Sequence, residues 1–344
     1  MVANNTDVIL VCFRSANKSI MSAKIGPDAF SWAANFSVDS SEVNLAHSLV
    51  NEASYIGKKL TTDIGVPGRL ASSSVFGDFY EHILLADLET CAIVRHGYVV
   101  PFEQLPPKAQ HTQNNKSCRE NMTFALAEIH RLESLGCVKR VPPGASWVEI
   151  PLSVVYSNKL RLVVDASRHI NPFVKKRPIK LDSLEDFAQL VNRGDFVVVD
   201  DLDSGYWHVP LAKHQQHFFG CSIFNATTGE VEHYQWQVLF LGISDAVHVF
   251  TKVLRPVVQH LRKCGWLGII YIDDLGTVAS DYLRAVYWKN FARDILGRAG
   301  WIINTKKEQT PSQSNVLLGS VCDTLALKFR IPENKVLEVK DLIV

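Results

Sequence analysis

The chain contains no run of the roughly 18 unbroken apolar residues that a membrane-spanning helix needs, although 47% of its 344 residues are hydrophobic. The early stretch Val8 to Phe13 is too short for the core of a secretory leader, and no small-residue cleavage site follows it. An intracellular protein is expected, cytoplasmic or nuclear, without a membrane partner. The Asn-x-Ser/Thr triplets, such as Asn121-Met122-Thr123, then read as chance. Paired cysteines are missing too. Cys12, Cys91, Cys118, Cys137, Cys221, Cys264 and Cys322 are odd in number and form no CxxC, so neither a disulfide framework nor a zinc site is indicated. Charge of one sign is also lacking: 36 Lys and Arg against 35 Asp and Glu leave +1, so overall charge does not announce a polyanionic partner. There are no internal repeats and no low-complexity tracts.

What is present is enough apolar material for one large domain or two smaller ones. Residues 1 to about 85 show no periodicity; Gly65 to Gly68 and Ser72-Ser73-Ser74 read as loops. Glu120 to Gly136 reads as a helix with Met122, Leu126, Ile129 and Leu132 on one face. Leu152 to Tyr156 and Leu160 to Val164 read as a strand pair around Ser157-Asn158. Ser183 caps a short helix, with Asp186 three residues on. A buried strand, Phe196 to Val199, runs into Asp200-Asp201. His217 to Phe224 and Val231 to Val238 suggest a hairpin. Ser244 is placed to cap a helix ended by Gly265, with Pro256 expected to kink it. Leu267 to Ile272, Asp273-Asp274 and Leu275 to Ala279 read as strand, acidic turn, strand, before a helix from about Asp281 to Ala299. Strands and helices mixed without βαβ alternation predict an α+β fold.

One basic run stands out. Lys159, Arg161, Arg168, Lys175, Lys176, Arg177 and Lys180 face Asp165 alone, either as a solvated face or as a patch for phosphates. The carboxylates carry more chemistry. Phosphoryl transfer to a growing strand uses two divalent cations about 3.5–4 Å apart. Mg²⁺ is held by one or two carboxylates with waters and substrate phosphates. A strand end supplying Asp201 and a turn supplying Asp273-Asp274 would meet that need, since a turn lets neighbouring side chains point together. Asp is also common at strand ends and turns for local reasons, and Asp200 beside Asp201 leaves the ligand undecided.

In order along the chain, several segments resemble the motifs of retroelement reverse transcriptases. Asp201-Leu202-Asp203-Ser204-Gly205-Tyr206 is similar to the first palm motif, Asp-Leu-x-Ser-Gly-Tyr, and Tyr271-Ile272-Asp273-Asp274 to Tyr-x-Asp-Asp. Between them LFLGISDAVHVFTK, Leu239 to Lys252, resembles the second palm motif, LPFGLSxAPxxFTK. Upstream, LRLVVDASRHIN, Leu160 to Asn171, resembles the fingers motif. Asn304 to Glu308 and Leu317-Leu318-Gly319 resemble the lysine-bearing and primer-grip motifs. The whole, with Pro151 to Val155, resembles DIRS-type or Gypsy-like retrotransposon polymerases.

The resemblance implies a right-hand polymerase with fingers and a mostly antiparallel palm sheet. It implies RNA-directed DNA polymerase activity with two Mg²⁺ or Mn²⁺ ions, an RNA or DNA template with its primer, and dNTPs. The spacing to Gly205-Tyr206 selects Asp201 over Asp200 as catalytic metal ligand, joined by Asp273 and Asp274. Arg161, assisted by Lys159, would grip the triphosphate. Tyr206 would exclude a 2′-hydroxyl, which speaks against an RNA-dependent RNA polymerase. Gly242 would allow close approach of nucleotide or template. Lys307, or its neighbour Lys306, would face the leaving pyrophosphate. The implied division is an N-terminal region at 1–95, fingers and palm at 96–324, and the start of a truncated thumb at 325–344. The pattern breaks at Phe240-Leu241-Gly242, at Val247 and at Leu160. These departures and the short C-terminal segment raise an alternative, a catalytically impaired, truncated nucleic-acid-binding remnant of a mobile element.

Overall fold

The computed structural model describes residues 65–157 and 159–341; the early apolar stretch, the tip residue Asn158 and Val344 lie outside them. Ser73 accepts a hydrogen bond from the Val75 amide and starts α1 (Ser74–Asp78). The chain continues through a π-helical turn, Phe79–Ile83, to α2 (Leu88–His96), capped by Asp87. These helices, to which the sequence assigned no element, bury Phe76, Phe79, Tyr80 and Val94 in the main core. The core therefore runs across position 95 without a break.

The helix expected over 120–136 forms from Met122 to Ser134, with a further short helix just before it. Asn121 (φ −119°, ψ 38°) separates α3 (Lys116–Glu120) from α4 (Met122–Ser134). β1 (Val138–Val141) follows, then the hairpin β2 (Leu152–Tyr156) and β3 (Leu160–Val164). α5 (Leu184–Leu190) starts in a full capping box between Ser183 and Asp186. β4 (Phe196–Asp201) is buried along nearly its whole length. β5 (Gly220–Asn225) and β6 (Glu230–Trp236) make the second hairpin, and β1 joins its far edge in the antiparallel order β1-β6-β5.

α6 (Ala246–Lys263) passes Pro256 as one helix. Its N-cap is Asp245 rather than Ser244, and the Asp245 carboxylate makes no cap. Instead it accepts hydrogen bonds from Arg177 and Tyr98. β7 (Leu267–Tyr271), β8 (Asp274–Ala279) and α7 (Tyr282–Arg298) complete the central unit. β4 pairs with β8 and β8 with β7, all antiparallel, and the register sets Asp201 opposite Asp274 and Tyr271 opposite Asp274. A small sheet, β9 (Ser314–Leu317), β10 (Ser320–Asp323) and β11 (Lys328–Arg330), leads to α8 (Glu333–Asp341).

The result is an α+β fold of helices and antiparallel sheets. No helix among the described residues is long and apolar enough to cross a membrane.

Candidate metal centre

Successive side chains of a strand point to opposite faces, so the adjacent carboxylates at the end of β4 part company. Asp200 Oδ1 accepts from Arg293 Nη2 at 2.5 Å, and its Oδ2 from Arg293 Nε at 3.3 Å. Asp201 turns to the other side. There its Oδ1 accepts from Lys307 Nζ at 3.0 Å and its Oδ2 from Asn304 Nδ2 at 3.0 Å. The Asn304 amide also donates to the Asp201 carbonyl at 2.8 Å. Asp201 is thus the member of the pair that faces the turn carboxylates, while Asp200 is occupied by an arginine.

The β7–β8 turn holds Ile272 at φ 54°, left-handed backbone that a β-branched residue seldom adopts. The Leu202 amide binds the Asp273 carbonyl at 2.9 Å and ties this turn to the end of β4. Asp201, Asp273 and Asp274 each present a carboxylate oxygen, all within 4.8 Å of one another. Crowding shows in their acidity. Burial raises the Asp273 pKa, and the Asp201 charge adds to the rise. Asp274 is pushed up to about 6 by burial first, then by Asp273 and Asp201. Its ion pair with Asp201 raises the Lys307 pKa. Half-buried oxygens of like charge, incompletely offset by one lysine, are a donor set suited to a hard divalent cation.

Beside the carboxylates lies a cavity of about 270 Å³, walled in part by Tyr206, Leu241, Leu162, Val164 and Asp273. Tyr206 stacks on Phe250 at a centroid distance of 4.7 Å, and its hydroxyl is buried without a hydrogen-bond partner. Burial, followed by the charge of Asp273, pushes that phenol up to about 12. Gly205 admits the Phe250 ring, since a Cβ there would lie 2.8 Å from it. Gly242 sits at φ 133°, and a Cβ there would meet the Val164 carbonyl oxygen at 2.4 Å. Its close approach is to the protein's own β3.

The structure does not gather every expected residue here. Arg161 and Lys159 are exposed on the β2–β3 hairpin and form no part of the cavity wall, although Leu162 and Val164 of β3 do. Both Lys306 and Lys307 are exposed, and the one that reaches the carboxylates is Lys307, through Asp201. The basic run divides. Lys175, Lys176 and Lys180 are exposed, but Arg177 pairs with Asp245 and with Glu89 at 3.0 Å and is not a free phosphate contact. Asn304 lay unremarked inside a noted motif. Arg293 carried no signal, because its partner is 93 residues away.

Residues 152–321 match the family model described as reverse transcriptase (RNA-dependent DNA polymerase). This segment is a retroelement-type reverse transcriptase domain. The family is one of RNA-directed DNA polymerases, which are nucleotidyltransferases. The chain is similar to the genome polyprotein of Petunia vein clearing virus (isolate Hohn), 23% identical over 178 residues, which are 49% of this chain and 7% of that protein. It is also similar to the enzymatic polyprotein of Carnation etched ring virus, 27% identical over 183 residues, 52% of this chain and 26% of that protein. The reverse transcriptase domain thus matches between 7% and 26% of the length of these curated relatives. Its three clustered aspartates fall within the family-matched residues.

Proposed function

We propose that this chain extends a DNA strand on an RNA template, with Asp201, Asp273 and Asp274 holding two divalent cations, Mg²⁺ or Mn²⁺. In this reading β4, β7 and β8 are the floor of a palm and the β2–β3 hairpin is a finger above it. The same reading keeps residues 96–324 as fingers and palm, with 1–95 and 325–344 as flanking parts. The observation that carries the proposal is the convergence of the three carboxylates, from segments more than 70 residues apart, within 4.8 Å.

When bound, the cations activate the primer hydroxyl and stabilise the charge of the leaving pyrophosphate. The remaining work falls to the chain. Asp201 is held by Asn304 and Lys307, so it keeps one orientation between turnovers. Lys307 stands where its ammonium can move from Asp201 to a departing phosphate oxygen. Tyr206, braced by Phe250, presents its ring to the sugar and leaves no room for a 2′-hydroxyl. Arg161 and Lys159, on an exposed two-stranded arm, reach the triphosphate when that arm bends inward; the planar guanidinium suits a bidentate grip.

The deciding experiment is primer extension on RNA template with the Asp273→Asn variant alongside. Extension by the wild-type chain, reduced roughly 100- to 1000-fold or more in the variant, is expected. A wild-type chain that binds primer–template and adds no nucleotide would instead establish the non-catalytic remnant.

A further inference from the structure

Helix α7 carries Lys289 and Arg293 four residues apart, hence on one face. Both reach Glu308. Lys289 Nζ donates to Glu308 Oε1 at 2.5 Å and to the Gln309 carbonyl at 3.0 Å. Arg293 Nη1 donates to the same Oε1 at 3.1 Å, while its Nη2 and Nε hold Asp200. Lys289 is only 6% exposed, so its charge requires these partners.

The two acidic ends of this relay have neighbours of consequence. Asp200 precedes Asp201, and Glu308 follows Lys307. Asn304, which caps the turn at 305–307, already binds Asp201 through its amide and side chain, and two ion-paired links add to that join. On one face Lys307 meets Asp201; on the other Asp200, Arg293 and Glu308 form a bridge. The turn itself is a single 3₁₀ turn with no buried residue, and the Lys307 side chain is 64% exposed. No apolar packing fixes it.

We infer that Arg293, backed by Lys289, is a positioning residue: through Asp200 and Glu308 it locks the 305–307 turn to the end of β4, so that Lys307 is held against Asp201. The inference concerns the geometry of the site in the proposed polymerase. Its test does not require turnover.

Reductive methylation of the full chain, read by peptide mass spectrometry, reports the reactivity of each lysine. In the wild type Lys307 is expected to label more slowly than the adjacent Lys306, whose ammonium makes no ion pair among the described residues. Glu308→Gln changes a half-exposed side chain and keeps both cations. It is expected to raise the Lys307-to-Lys306 labelling ratio roughly threefold, the scale of one lost ion pair. Arg293→Met should do the same, and Arg293→Lys should return part of the way. An unchanged ratio in Glu308→Gln and Arg293→Met chains that still melt cooperatively would overturn the inference. Primer extension separates the two proposals. A wild-type chain that fails to extend but shows the labelling contrast removes the polymerase reading alone. An active wild type whose variants show no contrast removes the relay alone.

Discussion

Tyr206 lines the cavity beside the carboxylates and Gly242 follows Leu241 of its wall, and the two are constrained for different reasons. Tyr206 is fixed by its stack on Phe250, and under the proposed function its ring would not retreat to admit a larger sugar. Tyr206→Val should raise the use of ribonucleotides relative to deoxyribonucleotides on the order of tenfold or more, measured by competing the two substrates in extension. An unchanged ratio would remove the gate role. Gly242 is needed by the fold. Gly242→Ala drives a methyl group into the Val164 carbonyl at a φ that side chains avoid. A loss of about 2–4 kcal/mol in unfolding free energy is expected, measurable by denaturant titration. At this scale the sequence was legible where a side chain belongs to a motif, as with Asp201, Tyr206 and Lys307. It was silent where the partner is remote. Arg177 looked like one cation in a basic run, and its partners Asp245 and Glu89 lie 68 and 88 residues away.

Among the elements, the β2–β3 hairpin was legible to the residue because a polar tip separates two apolar alternating runs. The α1–α2 region was not. Its apolar residues straddle a π-helical turn at Phe79–Ile83, which shifts the helical phase and erases the 3.6-residue period. The turn at Gly205–His208 is tied to the segment behind the carboxylates by a buried histidine. His208 Nδ1 donates to the Gly205 carbonyl at 3.2 Å, and Nε2 accepts from the Ile302 amide at 3.1 Å. That arrangement requires neutral imidazole, and burial holds its pKa down to about 3. The unfolded chain takes up the proton near the ordinary value of about 6.5. Stability from this link is thus whole above about pH 6.5 and lost as pH falls toward 3, by on the order of a few kcal/mol. Urea unfolding of the wild type from pH 7 to pH 4 should show the decline. A His208→Gln chain should show a shallower one.

For the whole molecule, the family-matched segment 152–321 is smaller than the packed unit. Leu70, Phe76, Phe79, Tyr80 and Val94 belong to the same core as Phe250 and Trp301. The Trp301 indole donates to the Tyr80 hydroxyl at 2.9 Å, and the Gly68 amide to the Trp207 carbonyl at 2.7 Å. Trp207 follows Tyr206, and Trp301 precedes the strand-like segment that carries Asn304. A chain beginning at residue 97 should therefore lose cooperative unfolding and near-ultraviolet circular dichroism. A well-folded truncated chain would show the N-terminal helices to be dispensable.

Because Asp200 and Asp201 are consecutive residues serving opposite faces of β4, the two-residue repeat of the strand sorts them into separate tasks. Deleting one residue between Phe196 and Val199 would keep every acidic side chain yet move each by one place, to the other face of the strand. Asp201 would then point at Arg293, and Leu202 would take its place beside the turn carboxylates. Mutational scans that count only amino-acid replacements would miss this fragility, and a single-codon deletion in that short stretch should be as damaging as losing the aspartate itself.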